Sequence, residues 1–370
     1  MESYSLQDYH YSYPPKAIAI LPAKVRDKSK LFVIHRKSQN FESNTFYKIG
    51  NFLKKGDVLV LNDVRVLPVR LQGVRKGGGR SEILLTGVPK QKNILFNHGN
   101  ISSKGQIFEA LISRGRKIRL GTNLFIQNGH PGKKDPFLAK VLEKRNDGRW
   151  LIRISSLEEG PHNVFSSCGK MPLPPYLQKN RNSKFQDLDQ IRYQTVFAKK
   201  GGALAAPTAG LHFSNNLILK LKKMGIEVHK ITLNVSFGTF RPIRSKDIRD
   251  HQMEPETFEI SSKTALAINR AKKEGRRVIA VGTTATRTLE SAAQKNGQIQ
   301  AMKSATNLYI YPGFRFRVID GLLTNFHLPQ SSLLLLVSAF TGREIVLKAY
   351  QEAIGKGFRL FSYGDAMLII

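Results

Sequence analysis

The middle of the chain alternates apolar and polar residues with a period of two. "SEILLTG", "IFEALIS", "NLFIQNG" and "PFLAKVLEKRNDGRWLIRIS" are short strand-like runs separated by Gly, Asn and Asp. The Asp-Gly pair in "KRNDGRW" predicts a tight hairpin, and Gly77-Gly78-Gly79 predicts another turn. Strands at this spacing, with no helical period among them, predict a small antiparallel barrel. Two earlier stretches, "SKLFVIHR" and "GDVLVLNDVRVLPVRLQG", also carry β-branched, strand-like runs.

After Pro161 the period lengthens. In "SNNLILKLKKMG", Leu217, Ile218, Leu221 and Met224 share a helical face, with Ser214 as N-cap and Gly225 as terminator. "SSKTALAINRAKKEG" repeats this logic up to Gly275, the strand "RVIAVG" follows, and "TTATRTLESAAQKNG" reads as a helix. Alternating helices and strands predict an α/β layer. The predicted fold is an α/β domain built from residues 1–67 and 160–370, with a small antiparallel β-barrel domain inserted at 68–159.

Composition then narrows the class. The chain has 370 residues, 41% of them hydrophobic, which suffices for two domains or one with an insertion. Lys and Arg total 59 against 27 acidic residues, a formal charge of +32. Such an excess favours a polyanionic partner and opposes self-association, although a basic proteome produces it too. The single cysteine, Cys168, excludes an intramolecular disulfide and a cysteine metal cluster. The N-terminus lacks the order of a signal peptide, and the apolar run "LLLLVSAF" is too short to span a bilayer. The expectation is a soluble cytoplasmic protein without a membrane segment. Phosphate-loop, zinc-protease and paired Cys-x-x-Cys signatures are missing, and nine scattered histidines offer no ligand spacing, so no metal is expected.

Candidate chemistry sits at five polar elbows. "VIAVGTTATRTLES" places Thr283 and Thr284 at a helix start with Arg287 one turn on, a pattern suited to a carboxylate or phosphate, or to plain N-capping. "LLTNFHLPQSSLLLLVSAF" puts Asn325 and His327 at a strand end, with Pro329 and Ser332 launching a helix. "AAPTAGLHFS" places Thr208 and His212 before another helix, and "VLVLNDVRVLPVRL" has Asp63 and Arg65 flanking Val64. "FSYGDAMLII" closes the chain, with Asp365 following a glycine. Each elbow alone is also what local capping and turns produce; together they suggest one cleft.

The blocks "LVLNDVRVLPVRL", "MPLPPYL", "YQTVFA", "AAPTAGLHF", "FGTFRPI", "VGTTATRTLES", "TNFHLPQSSLLLLVSAF" and "FSYGDAMLI" occur in this order from about Tyr13 to Ile369. The set resembles the S-adenosylmethionine:tRNA ribosyltransferase-isomerase family of queuosine biosynthesis. The resemblance implies an α/β domain carrying a β-barrel, a monomer, and S-adenosyl-L-methionine used as a ribosyl-donating substrate. It implies transfer to 7-aminomethyl-7-deazaguanine at the tRNA wobble position, with release of adenine and methionine and formation of epoxyqueuosine. Two departures stand out: Glu254 where the family usually has a second histidine after His251, and Val64 where threonine is common. His251 and Glu256 remain from that block and are kept as substrate-binding candidates.

For that chemistry, His212 or His327 is expected to manage protons, since histidine titrates nearest working pH. Asp63 and Asp365 are candidates to hold a ribose or an amine, and Thr283, Thr284 and Arg287 to take the methionyl carboxylate. Asn325 is expected to read a base edge, and Arg65 and Thr208 to contact substrate. The small residues of "GGALAAPTAG" allow either a flat ligand against backbone or close packing of elements. Basic clusters in "VRKGGGR", "KRNDGR" and at Lys179 and Arg181 are expected to track phosphates. Two rival readings are a non-catalytic RNA-binding protein and a conventional methyltransferase; the latter's acidic-Gly-x-Gly strand signature is missing.

Overall fold

The computed structural model describes residues 3–87, 100–113, 118–128, 136–158, 162–178, 185–236 and 242–370. The chain divides into two compact units. One comprises Met1–Val64, Gln194–Lys200 and Ala206–Ile370; the other comprises Arg65–Tyr193 and Gly201–Ala205.

The first unit is built on a nine-stranded mixed sheet. From one edge to the other its strands are Met302–Thr306, Glu256–Ile260, Glu227–Leu233, Val58–Asn62, Val278–Val281, Gly321–Asn325, Ala366–Ile369, Lys30–His35 and Asn40–Thr45. Glu227–Leu233, Val58–Asn62, Val278–Val281 and Gly321–Asn325 run parallel to one another. Val58–Asn62 and Val278–Val281 are buried along their whole length, as expected of strands covered on both faces. Leu59, Leu61, Ile279, Val281 and Leu323 pack with Leu217, Leu221 and Phe213 in one apolar cluster.

The helices start where the sequence places caps. Ser214 Oγ accepts from Leu217 N at 3.1 Å to open Asn215–Lys223, and Ser261 Oγ accepts from Thr264 N at 3.3 Å to open Ser262–Lys273. Gly225 and Gly275 follow these helices with φ of +82° and +67°, left-handed values that glycine adopts without Cβ strain. The cap of Ser332–Thr341 is Ser331, one residue before the expected Ser332, because Ser331 Oγ reaches Leu334 N at 3.3 Å.

The second unit contains a closed six-stranded antiparallel barrel, as predicted, with strands between Arg70 and Ser156. Around it the strands run Phe137–Lys144, Trp150–Ser156, Gln106–Ile112, Arg80–Gly87, Arg70–Val74 and Asn123–Ile126. Gly148 at φ +85° turns the Asp-Gly hairpin and Gly78 at φ +81° the other. The unit extends to Tyr193, so it takes in residues that the sequence reading assigned to the α/β domain. Short helices at Val164–Cys168 and Gln186–Arg192 cluster with the barrel there, and no change of composition marks that boundary.

Candidate active site

In an α/β sheet the carboxyl ends of parallel strands form the usual ligand-binding edge. Here Asp63, Gly282 and Asn325 stand at three such ends, those of Val58–Asn62, Val278–Val281 and Gly321–Asn325. Gly282 has φ +91°, which turns the strand directly into helix Thr283–Ala292 and leaves it without a side-chain cap. A Cβ at Gly282 would lie 3.8 Å from Ala209 Cβ and 3.6 Å from Thr284 Oγ1. The "PTAGLH" elbow therefore abuts this helix start.

His212 is the centre of a continuous hydrogen-bonded chain. Its Nδ1 is 2.7 Å from Ser29 Oγ and its Nε2 is 3.1 Å from Asn325 Nδ2. Asn325 Oδ1 in turn accepts from Thr208 Oγ1 at 2.8 Å. The ring lies against Phe46, centroids 5.1 Å apart. Burial pulls the His212 pKa down to about 4; Asp365 pulls it up, and Arg359 and Arg26 push it down. His212 is thus a neutral ring at neutral pH with both nitrogens engaged.

Glu256 and Arg287 form a buried ion pair, Nη1 to Oε2. Arg287 Nε also donates to Leu308 O at 2.9 Å, and Glu256 Oε1 accepts from Ser236 N at 2.8 Å. The positive charge expected to meet a substrate anion is therefore already balanced inside the protein. Among the described residues, Arg287 Nη2 and Thr284 Oγ1 are buried and find no hydrogen-bond partner.

His327 is held elsewhere in the same unit. Its Nε2 is 2.7 Å from Thr324 Oγ1, its backbone N donates to Tyr350 OH at 3.0 Å, and Tyr11 OH donates to its carbonyl. Burial lowers its pKa to about 3. Asp365 lies at the same edge as Asn325, whose strand partner is Ala366. Its carboxylate takes Lys30 N at 3.0 Å, Arg359 N at 2.8 Å and Arg359 Nη2 at 3.1 Å, so the chain itself supplies three donors to it.

Asp63 accepts from Thr232 Oγ1 at 2.7 Å and shares a polar cleft with Lys200, Lys230, Glu259 and Lys263. The cleft follows the edge of Glu227–Leu233 that Glu256–Ile260 leaves uncovered before Ile231. His251 is half-buried and stacks edge-on against Tyr309, with its pKa lowered by burial. Arg65 is exposed and belongs to the other unit.

The structure thus joins Thr208, His212 and Asn325 directly, and joins Glu256 to Arg287. Ser29 was missed: a lone serine before a strand carries no pattern that points 183 residues onward to His212. The small-residue run divides between the units after Ala205. At Gly210 the reason for glycine is packing, since a Cβ would lie 2.8 Å from Phe197 Cζ and 2.9 Å from Thr195 Cγ2. On the barrel, Arg145 and Arg149 pair with Glu109, so two of the expected phosphate contacts are engaged within the protein. Lys179 and Arg181 lie outside the described residues. Among the described residues no helix is long and apolar enough to cross a membrane, and no cluster of His, Cys, Asp and Glu could hold a metal ion.

Compared with known protein families, residues 6–369 match the model of the queuosine biosynthesis protein family. The chain belongs to this family. It is 44% identical to the S-adenosylmethionine:tRNA ribosyltransferase-isomerase of Carboxydothermus hydrogenoformans and 41% identical to that of Syntrophus aciditrophicus, each covering 99% of both chains. It also resembles the crystal structure of the S-adenosylmethionine tRNA ribosyltransferase of Thermotoga maritima, with 32% identity and a TM-score of 0.52. That match covers 98% of this chain and 100% of the other. Family membership makes the protein an enzyme of the ribosyltransferase-isomerase class.

Proposed function

We propose that the protein transfers the ribosyl moiety of S-adenosylmethionine onto 7-aminomethyl-7-deazaguanine at the wobble position of tRNA and isomerises it. The products are epoxyqueuosine-tRNA, adenine and methionine. The observation that carries this reading is identity of 40% or more, end to end, with relatives named for the reaction. The site adds chemical support.

The reaction removes a proton from the carbon beside the sulfonium, bonds the aminomethyl nitrogen of the modified base to the ribosyl carbon skeleton, and breaks the bonds to adenine and to the methionine sulfur as the ribose rearranges. The nitrogen stays in the product and its displaced protons go to solvent. Binding both substrates in register supplies much of the acceleration. The N-terminus of Thr283–Ala292, with the unpartnered Thr284 Oγ1 and Arg287 Nη2, takes the methionyl carboxylate. Asp63 holds a ribose hydroxyl or an amine through charge-assisted hydrogen bonds. His212 and His327 act as neutral hydrogen-bond partners, because burial keeps both rings uncharged at neutral pH. S-adenosylmethionine is a substrate in this reading, no metal is called on, and the enzyme works as a cytoplasmic monomer.

The test is a product assay. Purified protein is incubated with S-adenosylmethionine and tRNA bearing 7-aminomethyl-7-deazaguanine, and small molecules and digested nucleosides are followed by mass. Adenine, methionine and epoxyqueuosine in equal amounts are expected. S-adenosylhomocysteine would instead mean methyl transfer, and tight tRNA binding without turnover would mean a binding protein.

A further inference from the structure

The direction of the hydrogen bonds in the His212 chain is set at Asn325. Its amide Nδ2 can only donate, so His212 Nε2 accepts from it and the neutral ring carries its proton on Nδ1. Nδ1 then donates to Ser29 Oγ, which donates in turn to the Arg26 carbonyl at 3.2 Å. Nε2 is therefore a bare lone pair, and Asn325 turns its amide Nδ2 toward it. The Asn325 oxygen consequently faces Thr208, which commits its only hydroxyl proton there. What remains at the open end, on half-buried Thr208, is an oxygen that can only accept.

We propose that this chain presets Thr208 as the acceptor for the α-ammonium group of the methionyl part of S-adenosylmethionine. The inference rests on the functional reading above and names how the donor substrate is gripped. An α-amino acid carries its carboxylate and its ammonium on one carbon, so it needs a donor-rich and an acceptor-only group side by side. Ala209, the next residue after Thr208, is the one that meets Gly282 at the start of helix Thr283–Ala292. At that start Thr284 is 8% exposed and Arg287 4%, yet Oγ1 of one and Nη2 of the other have no hydrogen-bond partner among the described residues. Both are donors awaiting an acceptor, which a carboxylate supplies. Thr208 touches the substrate; Asn325, His212 and Ser29 are positioning residues that act through it.

The experiment measures binding by calorimetry, with unmodified tRNA transcript present so that no acceptor amine is available and no turnover occurs. Thr208→Val is expected to weaken S-adenosylmethionine binding about tenfold or more, the value of a hydrogen bond to a charged group, and Thr208→Ser to restore it. Decarboxylated S-adenosylmethionine, which keeps the amine, should lose as much on Thr208→Val. A deaminated analogue should bind wild type and Thr208→Val alike. An equal penalty on the deaminated analogue, or none on S-adenosylmethionine, overturns the assignment. The ¹⁵N shifts of selectively labelled histidine give an independent reading: His212 should be the neutral Nδ1–H tautomer, and an Nε2–H tautomer or an imidazolium at pH 7 overturns it. Wild type that binds S-adenosylmethionine here but releases no adenine with tRNA bearing 7-aminomethyl-7-deazaguanine refutes the reaction and leaves this contact standing. Wild type that binds no S-adenosylmethionine refutes both.

Discussion

Two buried, neutral histidines make stability depend on pH in a calculable way. His212 titrates near 4 and His327 near 3 in the folded protein, against an ordinary value of 6.5. A depressed histidine pKa means that the unfolded chain binds more protons than the native one between about pH 4 and 6.5. Stability therefore rises with pH across that window, is complete above it, and is lost as pH falls through it. At pH 5 each ring disfavours the native state by about 2 kcal/mol relative to pH 8, and the two together by about 4 kcal/mol. That is a large part of the ~5–15 kcal/mol that holds a typical domain folded. Glu290, whose pKa is raised by burial, works in the opposite sense, so the wild-type slope alone does not isolate the histidines. Urea unfolding midpoints at pH 5 and pH 8 for wild type, His212→Gln and His327→Gln do. Each single variant should remove about 2 kcal/mol of the acid-induced loss, whatever its own stability at pH 8. A variant that keeps the full loss would show that its histidine is not held neutral by burial.

Three further outcomes follow from the packing and charge. Gly210→Ala puts a methyl group 2.8 Å from Phe197 and 2.9 Å from Thr195, and should cost about 1–3 kcal/mol in thermal or urea unfolding; an unchanged midpoint would mean that the neighbours move freely. Glu256→Gln leaves Arg287 buried with its charge unbalanced and should destabilise by about 3–5 kcal/mol, whereas a loss under 1 kcal/mol would mean that water reaches the guanidinium. tRNA affinity should fall steeply between 50 and 200 mM salt, about 10³-fold if some six phosphates are neutralised; neutralising Arg145 and Arg149, already paired with Glu109, should change that slope little.

Much of this architecture is legible because it is local. Period-two alternation and Asp-Gly turns mark the barrel, and Ser214 and Ser261 announce helices within four residues of themselves. The boundary near Tyr193 is not local, since it depends on which helices settle beside the barrel. The final strand Ala366–Ile369 is likewise hidden: it is placed by pairing with Lys30–His35 and Gly321–Asn325, far away in sequence. The site divides in the same way. Elbows at strand ends are visible as Gly, Thr and Asn clusters, so Thr208, Asn325 and Thr284 could be found. What Arg287 bonds could not, because Glu256 lies 31 residues away with nothing between to connect them. Asp365 shows the converse limit: a conspicuous acidic residue after a glycine turns out to tie Lys30 and Arg359 in place.

The electrostatics of the site run against those of the whole chain, and the proposed substrates explain why. A formal charge of +32 attracts tRNA but repels S-adenosylmethionine, which carries a sulfonium and an ammonium against one carboxylate. At the strand ends that charge is cancelled or withheld. Glu256 balances Arg287, Asp365 balances Arg359, and both His212 and His327 are kept uncharged by burial. Asp63 and Glu259 offset part of the charge of Lys200, Lys230 and Lys263 in their shared cleft. A protonated His212 would put a cation one hydrogen bond from Asn325 and two from Thr208, where the ammonium is to sit. The depressed pKa of His212 therefore suits the proposed binding of a cation in a basic protein, while its hydrogen bonds to Asn325 and Ser29 set the tautomer that aims Thr208. Burial thus keeps both histidines uncharged beside the proposed donor site while the chain as a whole stays positive for the nucleic acid.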